Sequence, residues 1–179
     1  TKTDPETNVK LNFSVLIDTE QNWWYINCTD GSPYHRTAMA GQYNLTINNK
    51  PNIASLDVED PVNLLIADNK TVYCQGTATD EDGYSDIVNV NATLFNSDIG
   101  QTEYDLDNRS SHYTKSNCSL FNGNGDNLDF NCTFDLAYYA INGTWKCNVT
   151  VIDKINATHS SKKNTTVNEL LAISITPDL

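Results

Sequence analysis

The sequence has few basic residues and no long apolar run. It contains 11 Lys and Arg against 23 Asp and Glu, which gives a formal net charge of −12 at pH 7. A chain this acidic offers no basic patch to phosphates, so we do not expect it to bind nucleic acid. No stretch reaches the roughly 18 apolar residues that a membrane-spanning helix needs, so no membrane span is predicted.

Histidine is scarce, and the common catalytic signatures are missing. His35, His112 and His159 all fall in polar stretches that we interpret as loops. Cys28 with His35 would supply a nucleophile and a base, but a strand cysteine near a loop histidine is the simpler interpretation. The sequence contains no Gly-x-Ser-x-Gly, P-loop, His-Glu-x-x-His or dinucleotide-binding pattern. We therefore expect neither an enzyme nor a bound cofactor.

Acceptor sequons for N-linked sugar are present in large excess. With 24 Asn and 32 Ser or Thr in 179 residues, chance would give roughly four Asn-x-Ser/Thr sequons. The chain has 12, which begin at Asn12, Asn27, Asn44, Asn69, Asn91, Asn108, Asn117, Asn131, Asn142, Asn148, Asn156 and Asn164. We predict that most of them carry sugar. Because sequons are used only on a secretory route, we expect the protein to be extracellular or at a cell surface.

Alternation of apolar and polar residues predicts β-strands along most of the chain. Residues 142–153 alternate most clearly, with four inward side chains at Trp145, Cys147, Val149 and Val151. The same period predicts strands over 71–79, 87–95 and 165–175, an edge strand near Tyr104, and a hairpin whose turn spans 122–126. The inward residues of the first two strands would be Val72, Cys74, Gly76, Ala78, Val88, Val90, Ala92 and Leu94. Apart from a single helical turn over 135–140, no helix is expected here, so the class is all-β.

The first 50 residues are interpreted as a separate short unit. Strands are predicted over 9–17, 23–28 and 41–47, with an ambiguous stretch over 34–40 that could hold a helical turn. Three strands leave an apolar face uncovered, so this unit would be incomplete by itself. Asn49-Lys50-Pro51 marks the boundary, which gives a three-stranded unit over 1–50 and a β-sandwich over 51–179.

The larger part of the chain resembles immunoglobulin-like or PKD-like modules of secreted archaeal surface proteins. The resemblance covers roughly residues 51–175 and is carried by Val72-Tyr73-Cys74, Ala78-Thr79-Asp80-Glu81-Asp82-Gly83 and Gly143-Thr144-Trp145-Lys146-Cys147. It implies an immunoglobulin-like β-sandwich that serves as a cell-surface or filament building block. The strand over 87–95 lacks the core Trp of antibody-type domains, which is a departure from the antibody pattern.

The cysteines predict two disulfides within the sandwich. Cys74 and Cys147 lie on its early and late strands, where a bond between the sheets belongs, and Cys118 and Cys132 flank one hairpin. No Cys-x-x-Cys pattern occurs, so a zinc or redox site is not expected. Cys28 is left over, either as a buried thiol or as the partner of another chain or segment.

Two groups of side chains could bind a ligand. Asp80, Asp82 and Asp86 surround Gly83 and could hold Ca²⁺, although Asp-Gly turns are also ordinary in hairpins. Trp23-Trp24-Tyr25 could stack on a sugar. Neighbouring residues of a strand face opposite sides, however, so packing in a core and an interface is the simpler use.

Two functional hypotheses follow. The first is a structural subunit of an N-glycosylated extracellular filament or cell-surface layer, in which copies of the chain assemble by strand exchange. The donor strand would come from residues 7–17 or 170–179. The alternative is a cell-surface adhesin or carbohydrate-binding module that uses the aromatic run at 23–25.

Overall fold

A computed structural model shows a chain built from β-strands. It describes residues 48–170 and, among the first 47 residues, the backbone of four three-residue strands. The chain divides into two compact units, Thr1–Ile47 and Asn48–Leu179. This division falls slightly before the boundary expected at Asn49-Lys50-Pro51.

The described backbone of the first unit forms two short antiparallel pairs. β1 (Asn22–Trp24) pairs with β4 (Tyr43–Leu45), and β2 (Asn27–Thr29) pairs with β3 (Thr37–Met39). The prediction of one strand over 23–28 is wrong, because its two halves have different partners, and alternation does not report partners. A helical turn over 34–40 is also wrong, since β3 lies there. The strand predicted over 9–17 lies outside the described residues.

The second unit is a sandwich of two four-stranded antiparallel sheets. Its eight strands are β5 (Asn52–Val58), β6 (Lys70–Thr79), β7 (Ile87–Asn96), β8 (His112–Lys115), β9 (Ser119–Asn124), β10 (Asn127–Leu136), β11 (Gly143–Asp153) and β12 (Thr158–Val167). A short 3-10 helix, Tyr84–Asp86, joins β6 to β7. One sheet has the order β5-β6-β10-β9, and the other has the order β12-β11-β7-β8. Lettered in chain order, these sheets have the A-B-E-D and G-F-C-C′ strand orders of an immunoglobulin-like sandwich, so the predicted all-β sandwich is confirmed.

The core lies between the inner faces of the two sheets. Val72, Cys74 and Ala78 of β6 face Trp145 and Cys147 of β11, and all five side chains have no solvent exposure. Both predicted disulfides form. One links Cys74 to Cys147 across the sheets, and the other links Cys118 to Cys132 at the β9–β10 hairpin. The indole Nε1 of Trp145 donates to the Ile141 carbonyl at 2.8 Å, which satisfies its polar atom inside the core.

A β-bulge corrects the predicted inward face of β7. Ile152 of β11 pairs with Asn89, but the next residue, Asp153, pairs with Ile87, so Val88 is an extra residue in the ladder. Val88 is therefore half exposed, while Ile87 is buried. The prediction that Val88 faces inward is wrong for this reason, whereas Val90, Ala92 and Leu94 are buried as predicted.

Two other edge predictions also fail. The edge strand lies at β8 and not near Tyr104 as predicted. Tyr104 lies in a turn, and its side chain is 88% exposed. The last strand of the described residues begins at Thr158 and ends at Val167, because pairing with β11 fixes it despite its polar sequence. Residues 168–170 are not in a strand, so the predicted strand over 165–175 is wrong at these residues, and residues 171–175 lie outside the described residues. The predicted hairpin between β9 and β10 is confirmed, while Leu136 ends β10 where a helical turn was expected.

The segment after β5 changes sheets. Val62 forms a parallel bridge with Val167 of β12, its N–H donates to the Thr166 carbonyl at 2.8 Å, and its own carbonyl accepts from the Asn168 N–H at 2.9 Å. Val62 and Val167 are both buried. The crossing therefore covers the end of β12 and closes that side of the core.

Gly76 allows β5 to approach β6 closely. The β5 ladder is irregular between Ile53 and Ser55, and a Cβ at Gly76 would collide with the Ser55 carbonyl. A residue without a side chain is needed here because the obstacle is backbone, which cannot rotate away.

Among the described residues, no helix is long and apolar enough to cross a membrane.

Candidate functional site

The sugar-acceptor asparagines of the sandwich lie mainly on its outer surface. Nine of the 12 sequons fall in the residues whose side chains are described. Six asparagines are exposed, namely Asn69, Asn108, Asn117, Asn142, Asn156 and Asn164, and two are half-buried, namely Asn91 and Asn131. Asn12 lies outside the described residues, and Asn27 and Asn44 lie on β2 and β4, whose side chains are not described.

In three sequons that lie on strands, the residue after the acceptor asparagine faces the core. Asn91, Asn131 and Asn148 are each followed by an inward residue, and these residues, Ala92, Cys132 and Val149, are buried. The acceptor side chains therefore point away from the core on both sheets.

Asn148 differs from the others because a loop covers it. Its side chain is only 8% exposed, and its Oδ1 accepts no hydrogen bond. The recess around it is lined by Glu103 and Tyr104 of the β7–β8 loop and by Lys162 of β12. Lys162 Nζ donates to Glu103 Oε1 at 2.6 Å, which holds the loop against the outer face of the sheet. A sugar on Asn148 would have to displace this loop.

Three carboxylates meet at the end of the sandwich where β6 and β11 finish. One oxygen each of Asp80, Asp86 and Asp153 lies within 4.8 Å of those of the other two. Asp80 and Asp153 are 1% and 0% exposed, and Asp86 is half-buried. Charged carboxylates are rarely buried without a partner, so this acidic cluster is the strongest candidate site in the described part of the chain.

The turns at this end place each carboxylate. Gly83, at φ +98°, lets the chain turn after β6, and its N–H donates to the Asp80 carbonyl at 2.9 Å. Asp86 follows in the 3-10 helix, and its carbonyl accepts from the Lys154 N–H at 3.0 Å. Asp153 ends β11, and its Oδ1 accepts from the N–H groups of Ile155 and Ala157. These bonds bring the β6–β7 and β11–β12 loops together.

The start of the unit also contacts the cluster. Asn48 Nδ2 donates to Asp153 Oδ2 at 2.8 Å, and the Asn49 N–H donates to Asp82 Oδ2 at 2.5 Å. The first residues of the sandwich are thus tied to the same loops.

The surroundings shift the pKa values of the buried pair in opposite directions. Burial raises the pKa of Asp80, and the charges of Asp86, Asp82 and Asp153 act in the same direction against one hydrogen bond from the Asp82 N–H. Burial also opposes ionisation of Asp153. Hydrogen bonds from Asn48, Ala157 and Ile155 outweigh it and lower the pKa of Asp153.

The cluster corrects the predicted calcium ligands in part. Asp80 and Asp86 come together as expected, but Asp82 is exposed and binds Asn49. Asp153, which sequence reasoning missed, takes its place. A signal for it existed: Asp80 and Asp153 each lie six residues after a cysteine of the inter-sheet disulfide, on strands that finish at the same end.

The sequence predicts loops for all three histidines, but two of them lie in strands. His112 begins β8, has no solvent exposure, and its Nδ1 lies 2.9 Å from Asp107 Oδ1. His159 lies in β12, and its Nδ1 accepts from the Ile53 N–H at 3.2 Å. Both side chains thus tie polar backbone or loop groups to the sheets. His35 lies outside the described residues.

The other predicted ligand group is outside the part of the chain whose side chains are described. Trp23 and Trp24 lie on β1, and Tyr25 follows it. Cys28 lies on β2.

Neither comparison with models of known protein families nor comparison with curated proteins gives a match for this chain.

Proposed function

We propose that this protein is a structural subunit of an N-glycosylated extracellular filament or cell-surface layer, assembled by strand exchange between subunits. The observation that carries the proposal is the distribution of sequons over a disulfide-bonded sandwich. They occur around three of its four edge strands and leave the fourth, β5, free.

The disulfides and sequons support an extracellular protein. Two disulfides within one sandwich are typical of proteins that fold in an oxidising compartment. Sugar on Asn131 of one sheet, and on Asn91 and Asn164 of the other, would lie over both outer faces and hinder sideways association of the sheets. A net charge of −12 adds repulsion between copies, so association would need a specific contact.

The edges of the sandwich differ in their sugar acceptors. Asn117 lies two residues after β8 and two residues before β9, and Asn164 lies within β12. By contrast, β5 has no acceptor within it or within two residues of either end. Its Ile53 N–H is taken by His159, and its ladder partner in the described chain is β6. Beyond Ile53, the outer side of β5 carries no sugar acceptor, and an edge strand of this kind is where a strand from another chain adds most readily.

The donor strand would come from a terminal segment. Residues 7–17 and 170–179 alternate apolar and polar side chains, as an added strand requires. A head-to-tail contact whose rotation does not close a ring extends into a fibre.

One substitution tests whether β5 is the accepting edge. Asn52 is exposed at the start of β5 and is followed by Ile53 and Ala54, so Ala54→Thr completes a sequon there. Ala54→Val is the matched control, because Val has nearly the shape of Thr but creates no acceptor. Both variants are made as the full chain in a host that attaches N-linked sugar, and peptide mass spectrometry verifies the sugar at Asn52.

Sedimentation then separates the outcomes. We expect the unchanged chain and Ala54→Val to form polymers and the sugar-bearing Ala54→Thr protein to remain unassembled, with assembly restored when the sugar is removed enzymatically. Polymers of the same length from fully occupied Ala54→Thr would rule out β5 as the accepting edge. Deleting residues 1–17 and 170–179 separately identifies the donor; if both truncated chains polymerise normally, strand donation from the termini is excluded.

A further inference from the structure

The acidic cluster contains carboxylate oxygens that nothing in the described chain satisfies. Asp80 Oδ1 accepts from the Asp82 N–H at 2.9 Å, but Asp80 Oδ2 is shielded from solvent and accepts no hydrogen bond. Asp86 Oδ2 is likewise shielded and unpaired. A buried carboxylate oxygen without a donor is costly, so native proteins normally supply a partner for it.

Asp153 also has acceptor capacity left. An ionised carboxylate has about four lone-pair sites. The N–H groups of Ile155 and Ala157 bind Oδ1, and Asn48 alone binds Oδ2. One site on Oδ2 therefore stays open, and one oxygen of Asp153 lies within 4.8 Å of one oxygen each of Asp80 and Asp86.

The positive charge near the cluster is weak. Lys154 Nζ lies 3.4 Å from Asp86 Oδ1, and the Lys154 side chain is 55% exposed. A half-exposed lysine at this distance balances at most one of three carboxylates, and it does not touch the free Oδ2 atoms of Asp80 and Asp86. Within residues 48–170, two of the three carboxylates in the cluster thus have no cation to balance them.

We propose that Asp80, Asp86 and Asp153 bind one Ca²⁺ ion at the end of the sandwich where the β6–β7 and β11–β12 loops meet. Ca²⁺ binds carboxylate oxygens at about 2.4 Å, so two of its ligands lie up to about 4.8 Å apart. The oxygens of the three residues lie within that range of one another. Three carboxylates supply three to six of the six to eight oxygens that Ca²⁺ takes, and water completes the shell.

The chemistry favours Ca²⁺ over Mg²⁺. Mg²⁺ demands near-octahedral geometry at about 2.1 Å and gives up its water reluctantly. Two of these carboxylates are almost fully buried and are fixed by backbone hydrogen bonds, so they cannot easily contract around a smaller ion. With three carboxylates, we expect a dissociation constant on the order of 10⁻⁴ to 10⁻³ M, the range of extracellular calcium modules.

Thermal unfolding of the full chain measures the binding. The protein is stripped with EDTA, dialysed, and unfolded with 10 mM CaCl₂, with 10 mM MgCl₂ or with neither, at constant ionic strength. An ion that binds only the folded state with the expected affinity lowers the unfolding equilibrium constant by about 10- to 100-fold at this concentration. We expect a rise in midpoint with Ca²⁺ and a much smaller one with Mg²⁺, and calorimetric titration should find one site.

Two variants separate a metal site from a structural acid. Asp80→Asn keeps the acceptor for the Asp82 N–H and removes one charge, so it should abolish the Ca²⁺ response and leave the metal-free midpoint equal or higher. Lys154→Gln removes the competing ammonium and should tighten Ca²⁺ binding by about threefold. The matched control is Asp135→Asn, which makes the same charge change at an exposed carboxylate on β10 that binds Thr71; its Ca²⁺ response should equal that of the unchanged chain.

Several results would overturn the proposal. The unchanged chain could show no rise at 10 mM Ca²⁺, or it could respond equally to Mg²⁺, which would indicate general screening of acidic charge. An Asp80→Asn protein that keeps the full Ca²⁺ response would exclude this cluster as the site. If Asp80→Asn does not fold, Lys154→Gln decides, since unchanged or weaker Ca²⁺ affinity in that variant contradicts the proposed geometry.

Discussion

The two disulfides should contribute unequally to stability. The cysteines of the inter-sheet bond, Cys74 and Cys147, are 73 residues apart, whereas Cys118 and Cys132 are 14 residues apart. Restricting the unfolded chain by loops of these lengths is worth about 4.5 and about 3 kcal/mol, respectively. Since a domain of this kind has a total stability of about 5–15 kcal/mol, either loss is large and the first should be the larger.

Packing increases the difference. Cys74 and Cys147 have no solvent exposure and lie in the core with Trp145, so replacing both by Ala also leaves a cavity there. Cys132 is equally buried, but its partner Cys118 is 9% exposed at the margin of the core, where neighbours can close in more easily. The Cys74→Ala/Cys147→Ala protein should therefore lose at least about 1.5 kcal/mol more than the other double variant.

Urea unfolding of the two double variants beside the unchanged chain measures this difference. Double replacement avoids free thiols that could form new bonds, which matters because Cys74 and Cys132 are direct neighbours on β6 and β10. If the Cys118→Ala/Cys132→Ala protein is destabilised as much as the Cys74→Ala/Cys147→Ala protein, or more, then loop length and core burial do not govern the contribution of these bonds.

Three further outcomes follow from the structure. Gly76→Ala should lower the free energy of unfolding by about 1–3 kcal/mol, because its new methyl meets the backbone of β5; urea unfolding measures it. Asn148→Gln should leave the mass of the natively glycosylated protein nearly unchanged, whereas Asn164→Gln should remove one glycan, because Asn148 is covered and Asn164 is exposed. Glu103→Gln should destabilise by less than about 1 kcal/mol at pH 7. The hydrogen bond from Lys162 lowers the pKa of Glu103 below its ordinary value of 4.5. The ion pair therefore stabilises the folded protein fully above pH 4.5, and this contribution is lost as the pH falls through the lowered pKa. The stabilities of the two proteins should therefore converge once the pH is below the lowered pKa of Glu103.

The strands that the sequence predicts well are those with one apolar face. β6 and β11 alternate around Cys74 and Cys147, so both the strands and the bond between them follow from period and position. The sequence predicts the last strand in the wrong place because Thr158–Val167 is almost wholly polar until its end. Hydrogen bonding to β11 holds this strand in the sheet. A strand formed by pairing alone gives no hydrophobic signal.

For a similar reason, the sequence predicts only two of the three carboxylates of the candidate site. Asp80 and Asp86 are close in sequence and belong to one turn, which local pattern can show. Asp153 joins them only because β6 and β11 finish at the same end, a fact of topology. The bulge at Val88 is likewise a property of the pairing between β7 and β11, and the alternation of apolar and polar residues in β7 does not indicate it.

The most direct measurement for the proposed function is electron microscopy, with sedimentation, of the natively glycosylated protein at increasing concentration. A structural subunit that assembles by strand exchange should form regular polymers whose repeat matches one sandwich, and these should persist after gentle dilution. A single species containing one glycosylated chain, at every concentration tested and without fibres or sheets on the grid, would contradict the account.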